Sequence, residues 1–319
     1  LEHDVSTMTI LLIGGTGLLG GAIAEELAKR SEPVRALVRS GKRTARLREL
    51  GCQLEVGDLR DPRSLRRALA DVRAVITTAQ GDPIQRRKPL EEIDGRGNLS
   101  LIELADTAGV EHMVFVSALK ANEGAPRVPQ LAYKHSAEQA LVASRMTYTI
   151  LRPSSFQETF GADFAPFRRL IEHHRLGLVL GSGRAAHSFV AVRDVARAAA
   201  LALDRREAHD ALVPIGGPDS LSYPEAYAQI AKITDRPIQL LYIPTLLLRA
   251  GGLLAAPMLP DMRGFLRLFA FIDEAGYTTT TPTWLIDALG RRRSFAEGIE
   301  AMFLSAESGA LRPRTQDQA

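Results

Sequence analysis

Apolar residues come in short blocks through the first half of the chain, separated by stretches whose apolar positions recur every three or four residues. Ile10-Leu11-Leu12-Ile13 is the length of a buried strand and ends at Gly14. A glycine-rich turn follows, and Ala22 to Lys29 then supplies helix formers, with Leu19, Ile23 and Leu27 sharing one face. The same rhythm predicts strands at 34–38, 53–56, 74–77, 112–116 and 148–151. It predicts helices at 44–50, 62–70, 97–108 and 131–144, with a polar loop between Lys120 and Pro129. Strict alternation implies an α/β fold with a doubly wound parallel sheet and helices on both faces. Right-handed crossovers then put any ligand at the carboxyl ends of the strands, where the strand order reverses.

Past Arg152-Pro153 the pattern loosens. A helix is expected near 164–174, a short strand at 178–180, a helix at 194–203 after the apolar Phe189 to Val192, and a strand at 212–215. Ser222 reads as the cap of a helix holding Glu225 to Ile230. Residues 243–276 read as two short helices that either cover a substrate pocket or pack a subdomain core or dimer face. The expected division is a dinucleotide-binding Rossmann domain over 8–155 and a smaller C-terminal α/β substrate lobe over 156–310, interleaved with the sheet. Residues 1–7 and 311–319 are expected to be tails.

The turn after the first strand is Gly14-Gly15-Thr16-Gly17-Leu18-Leu19-Gly20, a Gly-x-x-Gly-x-x-Gly form of the dinucleotide fingerprint. Glycines there permit positive φ and close backbone approach to a diphosphate, and the helix start offers unpaired N–H groups and a positive dipole end. Gly14, Thr16, Gly17, Leu18, Leu19 and Gly20 are therefore cofactor-binding candidates. A site for the unphosphorylated cofactor needs an acid about 20 residues further on, to hold the ribose hydroxyls. Arg39 stands there instead, followed by Lys42 and Arg43. A guanidinium can grip a 2′-phosphate through two parallel charge-assisted hydrogen bonds, so Arg39, with Arg43, points to NADP(H). Asp58 and Leu59 end the third strand, where the carboxylate can accept from the adenine amino group. Thr78 and Ala79 end the fourth, where small side chains let the dinucleotide pass.

Composition narrows the classes without changing this picture. Apolar residues at 45% and charged residues at 24% are ordinary for a globular protein, and a net charge of +3 argues against nucleic acid as a partner. No run of about 18 apolar residues predicts a membrane span. One cysteine, Cys52, excludes a disulfide framework and a cysteine metal site, so a cytoplasmic setting is expected. His135, His173, His174 and His187 show no metal-ligand spacing. Residues 1–7, ahead of Met8, lack an apolar signal core and are expected to be the remnant of a processed tag.

The ordered set Gly14 to Gly20, Val38-Arg39, Gly57-Asp58-Leu59, Val114 to Ser117, Thr149 to Pro153 and Phe189 to Ala196 resembles the NmrA-like group of atypical short-chain dehydrogenase/reductases, over about residues 8–235. The resemblance implies bound NADP(H), with the nicotinamide near Pro153, Ser154, Ser155 and Phe156. It also aligns Lys134 with the family lysine. The Tyr-x-x-x-Lys pair of classical members is incomplete, since Gln130 stands four residues before Lys134, and Ser117 falls one or two positions early for the classical serine. Tyr133 cannot replace the tyrosine, because successive helical residues diverge by about 100 degrees. The resemblance therefore implies a reductase of small apolar or conjugated compounds (carbonyls, imines, quinones or dyes) in which Lys134 or water handles the proton. The alternative it implies is a redox sensor or assembly factor that binds cofactor without turnover. The expected partner is a small-molecule substrate, and the expected state a monomer or homodimer.

Overall fold

In the computed structural model, which describes residues 9–41, 43–81, 90–161, 165–248, 250 and 260–304, the first half of the chain alternates as its pattern predicts. Its elements are β1 (Thr9–Ile13), α1 (Leu18–Lys29), β2 (Val34–Val38), α2 (Ala45–Glu49), β3 (Gln53–Val56), α3 (Pro62–Ala68), β4 (Val72–Thr77), α4 (Asn98–Thr107), β5 (His112–Val116), α5 (Ala121–Gly124), α6 (Pro129–Val142) and β6 (Thr147–Pro153). The second half adds α7 (Ala165–Arg169), β7 (Leu176–Leu180), β8 (Ala186–His187), α8 (Val192–Leu201), β9 (Ala211–Ile215), β10 (Leu221–Ser222), α9 (Tyr223–Thr234) and β11 (Gln239–Ile243). It closes with α10 (Pro260–Ala275), α11 (Thr283–Leu289) and α12 (Phe295–Phe303).

Seven strands form one parallel sheet in the order β3-β2-β1-β4-β5-β6-β9. The chain runs outward from β1 to β3 and returns to β4 on the other side of β1, so the switch point lies between β1 and β4. Alternate side chains of each strand feed two separate cores. Ile10 and Leu12 pack with Ile23 and Leu27 of α1, Val195 and Ala199 of α8, and Leu285 and Leu289 of α11. Leu11 and Ile13 pack on the opposite face with Leu65 of α3, Leu101 and Ile102 of α4, and Ala137 and Leu141 of α6. A third cluster, built from Phe160, Phe189, Tyr223, Tyr227 and Phe295, lies beside the short β8–β10 pair.

Several boundaries differ from the sequence pattern for identifiable reasons. A π-helical stretch, Glu91–Gly97, leads into α4, so the helix begins ahead of the expected Gly97; Glu91, Glu92 and Asp94 complement its positive end. The expected polar loop contains α5, and α6 starts at Pro129, which is preorganised for the first helical position. Strand β11 has no clear apolar alternation, since Gln239, Leu241 and Tyr242 are all exposed. Of the two short helices expected over 243–276, residues 245–248 and 250 are helical and residues 260–275 form a second helix, longer than expected at 16 residues. Residues 249 and 251–259 of that region lie outside the described residues, as do both expected tails and Lys42. The Ser222 cap is present as a full capping box with Glu225. Among the described residues, no helix is long and apolar enough to cross a membrane, and no group of three or more His, Cys, Asp or Glu could hold a metal ion.

Candidate functional site

Strand register lines the candidate residues along one rim of the sheet. Ile13 lies opposite Leu37 and Thr77, Val38 opposite Val56, Thr77 opposite Phe115, and Val116 opposite Leu151. The segments that follow these strands, Gly14 to Gly20, Arg39, Asp58-Leu59, Thr78-Ala79, Ser117 and Pro153 to Phe156, therefore emerge side by side.

At the centre, Gly14 has φ +88°, and a Cβ there would lie 2.4 Å from Thr78 Oγ1. Gly17 donates to Gly14 O at 2.9 Å and starts α1. A Cβ on Gly20 would lie 2.1 Å from Gly14 O, so only glycine lets the helix sit this close under the turn. Gly17 faces open space apart from Gly14 O at 3.3 Å, which leaves its outer side for a ligand. Helix α1 has no side-chain cap and no acid in its first turn. The N–H groups of Leu18, Leu19 and Gly20 are among those an α-helix cannot satisfy from within. Thr16 is exposed above them, while Leu18 and Leu19 are half-buried. Backbone donors, a positive dipole end and a cradle that side chains would fill together fit a dinucleotide diphosphate.

On the adenosine side, Arg39 is exposed just past β2 and makes no hydrogen bond among the described residues. Its charge reaches Asp58, whose carboxyl is held below the usual range chiefly by hydrogen bonds from Arg60, with a smaller contribution from Arg39. Arg60 clasps both carboxylate oxygens of Asp58, at 3.0 and 2.8 Å, and bonds Glu92 at 3.0 Å. Arg43 is exposed with φ +59°, in a loop braced by Thr44 Oγ1 donating to Gly41 O at 2.6 Å. Leu59 is buried and packs against Gly97, closing the floor beneath the adenine side.

On the other side of the switch point, Lys134 is buried. Its ammonium lies 3.1 Å from Val116 O, 3.4 Å from Ala79 O and 3.4 Å from Asp94 Oδ1. An ammonium has three N–H donors, so all three have an oxygen to face. Asp94 in turn accepts from the Gly81 N–H at 2.6 Å. Sequence reasoning gave the proton to Lys134 or to water; in the structure the Lys134 ammonium ties the ends of β4 and β5 to the π-helical stretch. Ser117 is buried at the end of β5, and its N–H donates to Leu151 O at 2.8 Å. Beneath it, Glu138 is 1% exposed and bidentate with Arg152, at 2.8 and 2.6 Å. Burial works to raise the Glu138 carboxyl, but Arg152, Ser117 and His135 outweigh it and hold it below the usual range.

Pro153 and Ser154 are buried, with Ser154 Oγ donating to Tyr277 O at 2.6 Å. Ser155 and Phe156 are half-buried, and a bridge between Phe156 and Val190 ties this segment to the start of α8. Ser155 Oγ lies 2.8 Å from His187 Nδ1. His187 stacks on Phe189, with centroids 5.2 Å apart, and burial lowers its pKa to about 4, so it is neutral near pH 7. Asp94, Arg152 and His187 were not legible as parts of this rim. Asp94 sits before the expected helix start, and the partners of the other two lie 14 and 32 residues away in sequence.

Residues 14–205 match the family model described as NAD(P)H-binding. The chain belongs to that family. It is similar to the NAD(P)H azoreductase of Xenophilus azovorans, 30% identical over 232 residues that make up 72% of this chain and 75% of the relative. It is also 30% identical over 242 residues to the photosystem II assembly factor Ycf39 of Cyanophora paradoxa, covering 73% of each. Its fold matches the NADPH-dependent quinone oxidoreductase of Escherichia coli solved with NADPH, with a TM-score of 0.74 and 19% identity over 93% of this chain and all of that one. The NAD(P)H-binding fold, the oxidoreductase kinship and the likeness to NmrA-like atypical short-chain reductases are thus common to sequence and structure.

Proposed function

We propose that the protein is an NADPH-dependent reductase of a small apolar or conjugated acceptor. The observation that carries this reading is the rim itself. A glycine cradle and an uncapped helix start stand at its centre, a guanidinium lies where a ribose-binding acid would stand, and the buried Pro153 and Ser154 with the half-buried Ser155 and Phe156 follow at the end of β6. Bound NADPH would supply a hydride from its nicotinamide.

The chain's own residues bind and position. The Gly14 to Gly20 amides hold the diphosphate, and Arg39, with Arg43 nearby, holds the 2′-phosphate. Asp58, kept ionised by Arg60, accepts from the adenine edge. Thr78, Ala79 and Ser117 line the passage of the dinucleotide, and Pro153 to Phe156 flank the nicotinamide. Lys134 fixes the ends of β4 and β5, so its role is positioning. An acceptor that is already electron-poor, such as a quinone or an azo compound, needs orientation above all, and water can supply its proton. Residues 156–310 would cover the substrate side.

A second reading follows from the likeness to the assembly factor and from the engagement of Lys134: a cofactor-binding protein without turnover. Assaying NADPH consumption against quinones, azo dyes, enones and triarylmethane dyes separates the two. Turnover on any class, lowered by Arg39→Ala mainly through KM for NADPH, supports the reductase. Tight NADPH binding with no turnover across the panel refutes it.

A further inference from the structure

Arg193 lies in the first turn of α8, and Arg291, Arg292 and Arg293 follow one another between α11 and α12. With Glu297 they line a cavity of about 270 Å³ beyond the carboxyl end of β9. That is small for an apolar substrate and ample for a compact anion.

The charges in this cavity do not cancel. Arg291 pairs with Glu297, and Arg193 Nε lies 3.6 Å from Asp194 Oδ1. Arg292 reaches neutral acceptors, Gly216 O at 3.0 Å and Thr281 Oγ1 at 3.5 Å. The Arg293 guanidinium makes no hydrogen bond among the described residues. Its backbone, however, is fixed on both sides: the N–H donates to Asp194 Oδ2 at 2.9 Å, and the carbonyl accepts from Gln157 Nε2 at 3.2 Å. Two separate chain segments are thus locked together, and four arginines line one small volume. Arginine forks match the tetrahedral oxygens of a phosphate, which can accept from several at once.

We propose that this cavity is a second ligand site, taking a small compound through a phosphate or diphosphate group. Its lining residues are separate in sequence from the glycine turn after β1 and from the segments that follow β2 to β6. Neither Arg193 nor Arg291 belongs to the cofactor rim.

Calorimetric titration of inorganic pyrophosphate into protein saturated with NADP⁺ tests this, because the cofactor then blocks the glycine turn. One site with Kd below about 1 mM is expected. The double variant Arg193→Gln, Arg291→Gln should weaken it about tenfold or more while leaving NADPH affinity unchanged. Arg66→Gln, on α3 across the sheet, should leave both unchanged. Absence of binding, equal binding by the double variant, or equal affinity for citrate would overturn the assignment. None of these readouts depends on turnover, so failure of the reductase reading would not affect the result.

Discussion

Replacing Arg39 with alanine isolates the choice between phosphorylated and unphosphorylated cofactor. The side chain is exposed and unbonded among the described residues, so its removal leaves no cavity and breaks no hydrogen bond. Asp58 keeps its bidentate clasp from Arg60, which does most of the work of holding that carboxyl ionised, so the adenine edge stays intact. What is lost is one fork on a dianionic phosphate. A hydrogen bond to a charged group contributes about 1.5–3 kcal/mol, which corresponds to roughly 10- to 150-fold in Kd. Titration followed by cofactor fluorescence at low salt should show NADPH affinity falling by that factor while NADH affinity moves less than about twofold. Raising the ionic strength should shrink the difference, because the contact is solvent-facing. An unchanged NADPH-to-NADH ratio in Arg39→Ala would refute the assignment of the 2′-phosphate to this residue.

Gly20→Ala should abolish cofactor binding and cost about 1–3 kcal/mol of stability, because a Cβ 2.1 Å from Gly14 O forces α1 away from the turn; denaturant midpoints and NADPH titration check both. Arg152→Leu strands the Glu138 carboxylate in the interior and should cost about 3–5 kcal/mol, read as a large drop in Tm. His112 and His187 are both lowered to about 4 by burial, so their contribution to stability is complete above pH 6.5 and lost as pH falls toward 4; a pH series of denaturant melts should show this acid lability, reduced in His112→Gln. Glu158 runs the other way: burial raises its pKa to about 7, so stability is lost as pH rises from about 4.5 through 7, and Glu158→Gln should stabilise the protein by about 2–3 kcal/mol at pH 8 and leave it nearly unchanged at pH 4.

The part of the fold that follows from local pattern was legible in the sequence. Blocks such as Ile10 to Ile13 and Met113 to Val116 are buried on both faces, and the helices between them carry one apolar stripe, so their order and type could be read directly. The glycine turn was legible because its spacing encodes contacts only a few residues apart. What was not legible depends on contacts between distant segments. Strand β11 pairs with β7 across roughly sixty residues and offers little apolar alternation of its own. Lys134 falls within the helix the pattern predicts, but its engagement rests on Asp94, forty residues earlier, and on two backbone carbonyls that have no signature in residue type. Arg39 stands between these cases: its position is fixed by the end of β2, and only the structure shows that it makes no hydrogen bond among the described residues.

The seventh strand comes from the second half of the chain. Residues 211–215 bond along the outer side of β6, from Thr149 opposite Ala211 to Pro153 opposite Ile215. A fragment cut near position 155 would leave the backbone donors and acceptors of β6 exposed along a mostly apolar strand, an invitation to self-association. Separating the nucleotide-binding half for study would therefore yield aggregates unless residues up to at least Ile215 travel with it.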